Sequence, residues 1–127
     1  MIEYPELYEE ATKIQSTLEC VCPSDPSEMY ARLAELNVLL ARTSEMYAEA
    51  RHLLNLRRQE VFVESMEVIK DLSATLANKY IDAQVADEMK LADWVERLNK
   101  TIVHQSDNMR SMFSYAKEEM KLTRNGY

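Results

Sequence analysis

Two short strings carry residue types that do chemistry when helices bring them together: EARH at 49–52 and HQSD at 104–107. A carboxylate three positions from a histidine shares its helical face, and facing helices that each present Glu-x-x-His build di-metal carboxylate sites. Here the second string has the order reversed and Asp107 in place of Glu, and His52 and His104 are the only histidines in the chain. Glu49, His52, His104 and Asp107 therefore make a suggestive but incomplete ligand set. No Ser or Cys sits on the strand-to-helix elbow that activates a nucleophile. No catalytic, cofactor-binding or metal-ligating residue is assigned, no cofactor is implied, and the chain is read as a non-enzyme.

Both strings lie within larger polar groups. VHQSDNMRS places Gln105, Asp107, Arg110 and Ser111 beside His104, and TSEMYAEARH places Thr43 and Tyr47 ahead of His52. A third group is basic: Arg51, Arg57 and Arg58 on one segment, Arg97 and Lys100 on another. What these residues can do depends on the elements that hold them.

Those elements are helices. Between Ser27 and Asn125 the chain has neither Gly nor Pro, the two strongest punctuators of local structure. A first helix over residues 5–21 opens at Pro5, with Glu6, Glu9 and Glu10 complementing its positive end. Its core face is Leu7, Ala11, Ile14, Leu18 and Val21. Pro23 and Pro26 break it, and Asp25 caps a second helix over 26–71 with Glu28 reaching back. One heptad stripe of that helix reads Leu33, Leu40, Tyr47, Leu54, Val61, Val68; its companion reads Leu36, Thr43, Ala50, Arg57, Glu64 and turns charged after Ala50. Tight packing is expected in the first half and looser packing beyond it. A short helix over 74–83 follows a Ser73 cap. A last helix over 86–122 carries the seam Leu91, Val95, Leu98, Ile102, Gln105, Met109, Met112, Ala116. The expected fold is all-α, a single domain of 127 residues: an elongated antiparallel helical hairpin of two long helices, with a shorter N-terminal helix and a short helix near the turn.

A turn in the seventies would pair His52 with Gln105, Tyr47 with Arg110, Thr43 with Ser114, and Arg57 with Lys100. Three readings of the resulting polar layer follow. The preferred one is register: buried polar groups that leave donors unsatisfied in slipped pairings, with His104, Asp107 and Arg110 forming an intrahelical ladder. The second is a nucleic-acid contact through the basic band of Arg51, Arg57, Arg58, Arg97 and Lys100. It is not favoured, because Glu60, Glu64 and Glu96 can neutralise the band and no aromatics interleave to grip single strands. The third is the metal site already weighed.

Charge and composition bound the partners. Of the net charge of −7, residues 1–30 hold −6 through seven acids against Lys13, leaving the other 97 residues nearly neutral. An acidic chain is a poor indiscriminate coat for DNA. No apolar run approaches the roughly 18 residues of a membrane span and the acidic start is unlike a secretory leader, so a cytoplasmic protein without a membrane partner is expected. Cys20 and Cys22 are one residue apart, a spacing of neither zinc sites nor disulfide frameworks, and read as reduced thiols near a helix end. Met109 and Met112 lie on the seam and read as core filler. Trp94 and Tyr115 mark where the first helix or a second protomer covers the hairpin. Seam surface left uncovered predicts a homo-oligomer.

ARTSEMYAEARHLL (41–54) together with RLNKTIVHQSDNMRSMFSYAKEEMKL (97–122) resembles small uncharacterised all-helical proteins encoded by phages and mobile elements of gut Bacteroides-type bacteria. The resemblance implies a mobile-element origin and a bacterial cytoplasm, and a host or phage protein is a further candidate partner. It implies no activity.

Overall fold

The computed structural model describes residues 3 to 124, and among them every regular element is helical. The elements are α1 (Tyr4–Leu18), α2 (Pro26–Glu64), α3 (Met66–Ile69), α4 (Ala74–Gln84) and α5 (Ala86–Arg124). The Asp25 and Ser73 caps form as expected, without the expected reach-back of the Glu28 side chain. Asp25 Oδ2 accepts from the backbone N–H groups of Ser27 and Glu28 (3.1 and 3.2 Å), with Pro26 behind it where a missing N–H costs nothing. Ser73 Oγ accepts from Leu76 N–H at the start of α4 (3.3 Å).

Two boundaries differ from expectation. α1 stops at Leu18, before Val21, which is almost fully exposed. α2 stops at Glu64 rather than near Asp71, because Ser65 leaves helical geometry (φ −105°, ψ 10°) and starts α3 afresh. The run Val61, Phe62, Val63 before it is β-branched and aromatic, a weak helix former, and Ser offers the backbone competing bonds.

α2 and α5 have 39 residues each, roughly 58 Å apiece, and pack along each other. As residue numbers rise on α2 they fall on α5: Tyr30 meets Phe113, Thr43 meets Asn99, and further on Arg58 meets Asp82 of α4. This pairing is two heptads away from the expected one. The chain reverses at residues 70–73, ahead of α4, so α4 belongs to the returning arm and α5 pairs earlier along α2 than a later turn would allow. Tyr47 therefore lies at the level of Glu96, not Arg110, a displacement of about 21 Å along the helix.

The buried face of α2 is Met29, Leu36, Thr43, Met46, Ala50, Leu54 and Val61. It begins on the companion stripe and ends on the first one. A straight helix drifts about 20° per heptad against a strict seven-residue repeat, so the contact line crosses from one stripe to the other. On α5 the same drift brings Ser106 into the buried set and leaves Met112 exposed.

α1 lies over the middle of the pair, closing a core of Leu7, Ala11, Ile14, Leu18, Leu36, Met46, Leu98 and Ile102, among others. Each such large apolar side chain contributes about 1.5–3 kcal/mol by leaving water. Tyr8 packs edge-on against Trp94 (centroids 5.4 Å apart), and Trp94 Nε1–H donates to Gln15 Oε1 (3.1 Å), so Trp94 is where α1 covers α5. Tyr115 stays exposed. Beyond α1, a smaller cluster of Leu54, Val61 and Val85 is flanked by Ile81 and Met89. No described helix is long and apolar enough to cross a membrane.

Candidate functional site

The cross-helix polar layer is centred on Asn99. Its Nδ2 lies 2.9 Å from Thr43 Oγ1, 3.0 Å from Ser44 Oγ and 3.3 Å from the Leu40 carbonyl oxygen. Thr43 is fully buried and its hydroxyl donates back to the Leu39 carbonyl (2.9 Å). Slipping α5 by a turn would take the half-buried Asn99 amide away from its three acceptors on α2, while Thr43 keeps its own bond to Leu39, so the cost of slippage falls on the amide. Thr43 was among the expected register residues; Asn99 was not. The signal for it was present as a single amide beside the seam positions Val95, Leu98 and Ile102, where a polar residue specifies register.

The remaining residues of the expected layer disperse. His52, His104, Asp107, Arg110 and Ser111 are exposed. His52 falls near the level of Leu91 on α5, so His52 and His104 are about 20 Å apart along the bundle, and the Glu49, His52, His104 and Asp107 constellation does not converge. Among the described residues no group of three His, Cys, Asp or Glu is placed to hold a metal ion. Glu49 is half-buried, with Oε2 lacking a hydrogen-bond partner. Of the ladder on α5, one rung forms: Arg110 Nη1 donates to Asp107 Oδ1 (3.1 Å).

Gln105 does a different job from pairing with His52. Its Nε2 donates to the Leu18 carbonyl (2.9 Å), and Arg32 Nη2 of α2 donates to the Thr17 carbonyl (2.8 Å). A helix ends with carbonyls that have no partner inside it. Here α2 and α5 supply the partners, and α1 is clamped by its C-terminus to both.

The basic band also separates. Arg57 pairs with Glu60 (3.0 Å), Arg58 with Asp82 of α4 (3.2 Å), and Lys100 with Glu96 (3.0 Å). Lys100 lies at the level of Thr43 rather than opposite Arg57. The Lys100 ammonium, by hydrogen bond and then by charge, holds the Glu96 carboxyl below its usual range, with smaller pulls from the Tyr47 hydroxyl and the Arg51 guanidinium. Arg97 lines a recess with Tyr4, Tyr8 and Trp94. The acidic first helix reaches a base outside the band, for Glu10 Oε2 accepts from Arg42 Nε (2.6 Å) and raises the Arg42 pKa chiefly through that bond. At the N-terminal end, burial and then Asp87 and Glu88 push the Tyr4 phenol up.

No family model, curated protein or solved structure matches this chain.

The surface is apolar at the distal end. Phe62 (49% exposed), Val63 (67%), Met66 (52%) and Val68 (52%) run from the end of α2 into α3, and Leu72 and Leu76 extend the patch across the turn into α4. Beside them a groove between α2 and α4 is lined by Phe62, Val63, Ile81, Asn78 and the Arg58–Asp82 pair.

Proposed function

We propose that this chain is a non-catalytic helical interaction protein, an elongated antiparallel hairpin that assembles with a second copy of itself through its distal end. The observation that carries the reading is the patch of Phe62, Val63, Met66, Val68, Leu72 and Leu76. Exposed large apolar side chains concentrated at one end of a bundle are the kind of surface that marks interfaces, and a two-fold arrangement lets one such end cover its counterpart. The dispersal of His52 and His104 supports the non-catalytic part of the proposal. The resemblance of residues 41–54 and 97–122 supports a phage or mobile-element origin and a cytoplasmic setting, with a host or phage protein as a further partner. The nucleic-acid alternative loses support from the ion pairs that occupy Arg57, Arg58 and Lys100.

Sedimentation at roughly tens of micromolar tests this: a dimer is expected for the wild type and a monomer for Phe62→Glu with Val63→Glu. A wild-type monomer overturns the proposal. Titration of labelled DNA is the companion measurement, and tight binding that weakens steeply with salt reinstates the alternative.

A further inference from the structure

Four sulfurs that are far apart in the sequence lie at one place in the fold. Cys20 and Cys22, from the segment joining α1 to α2, and Met109 and Met112, from α5, line a recess of about 230 Å³ together with Arg32, Gln105 and Asn108. Within it Cys22 Sγ lies 2.7 Å from Met109 Sδ and 3.9 Å from Met112 Sδ. Cys20 Sγ instead turns back to the Ser16 carbonyl of α1 (3.4 Å). Met109 is buried, whereas Cys22 and Met112 are reachable from solvent.

We propose that Cys22, Met109 and Met112 form a binding site for a soft monovalent metal ion, Cu(I) or its surrogate Ag(I). Thiolate and thioether sulfurs select such ions over harder ones. At a metal–sulfur distance of about 2.3 Å, two ligands of a trigonal site stand about 4.0 Å apart, close to the Cys22 to Met112 separation. The Cys22 and Met109 sulfurs touch and have to part to admit the ion, a movement within reach of an unbranched methionine side chain. The charge also fits: one thiolate and one monovalent cation are neutral together, which suits a site with one buried thioether, Met109. No His or carboxylate lines the recess to complete a zinc site. On binding, the Cys22 S–H bond is replaced by a sulfur–metal bond and the proton leaves to solvent. The ion is taken up as Cu(I), and nothing is oxidised or reduced.

The two residues of the Cys-x-Cys string are thereby given different roles, and this makes the test specific. The full-length protein is titrated anaerobically with Ag(I), and with Cu(I) against a chromogenic Cu(I) chelator, following stoichiometry and melting temperature. One equivalent is expected. Cys22→Ser, or Met109→Leu with Met112→Leu, weakens binding by roughly tenfold or more, on the scale at which metal sites respond to lost support, while Cys20→Ser stays within about threefold. X-ray absorption of the Cu(I) form shows sulfur neighbours only. Circular dichroism of each variant confirms that it is folded, and Met→Leu keeps core volume. The proposal is overturned by the absence of stoichiometric binding. It is equally overturned if both cysteines matter alike and the methionines do not, since that is the behaviour of an adventitious dithiol.

Discussion

The two halves of α2 both carry apolar side chains and are enclosed differently. From Met29 to Ala50 the helix buries Met29, Leu36, Thr43, Met46 and Ala50, because α5 covers one flank and α1 the other. From Leu54 onward the apolar content persists, yet only Leu54 and Val61 are buried, and Phe62 and Val63 face solvent. The difference lies in the third helix. A helix pair encloses one narrow seam, and a wider apolar stripe is buried only where a third element closes over it.

The largest expected contrast is in core truncation. Leu36→Ala, at a fully buried position under α1, is expected to lower stability by roughly 2–5 kcal/mol, while Val63→Ala in the distal half changes it by less than about 0.5 kcal/mol in the monomer. Urea unfolding of the two variants measures both. Equal losses would mean that α3 and α4 enclose the distal half as firmly as α1 encloses the other.

A smaller effect belongs to the Asn99 layer. Asn99→Ala should cost about 1–2 kcal/mol. Adding Thr43→Val should cost less than the separate losses combined, since both remove one shared bond. A double-mutant cycle checks this, and strict additivity would detach the two residues from each other.

The smallest effect is a titration. Because Lys100 lowers the folded-state pKa of Glu96, that interaction stabilises the fold above the ordinary carboxylate range and is lost as pH falls through the depressed value. Carboxyl NMR should place the Glu96 midpoint below those of unpaired glutamates, and Lys100→Ala should raise it. An unmoved midpoint would dissociate the pair.

The helices and caps were legible because they rest on local chemistry: the proline boundaries, Asp25 and Ser73, and the absence of Gly and Pro in between. The pairing register was not, since it depends on where the chain reverses, and the polar stretch around residues 70–73 carries no Gly or Pro to mark it. Moving the turn by a few residues moved every partner on α5 by twice as many. This is why Thr43 kept its place in the polar layer but acquired Asn99 as its partner, and why His104 emerged on the surface. The Cys22, Met109 and Met112 cluster was invisible for the same reason: each residue looked ordinary within its own segment.

The clamp on α1 has a consequence for the order of folding. Arg32 and Gln105 hold the Thr17 and Leu18 carbonyls, and these two donors meet only after α2 and α5 have zipped together. Until then α1 can be held by Arg32 alone, and its docking on α5 has to follow the pairing of α2 with α5. Removing the Gln105 donor should leave the refolding rate almost unchanged and make the native protein come apart faster, the behaviour of a latch that closes once the two long helices have paired.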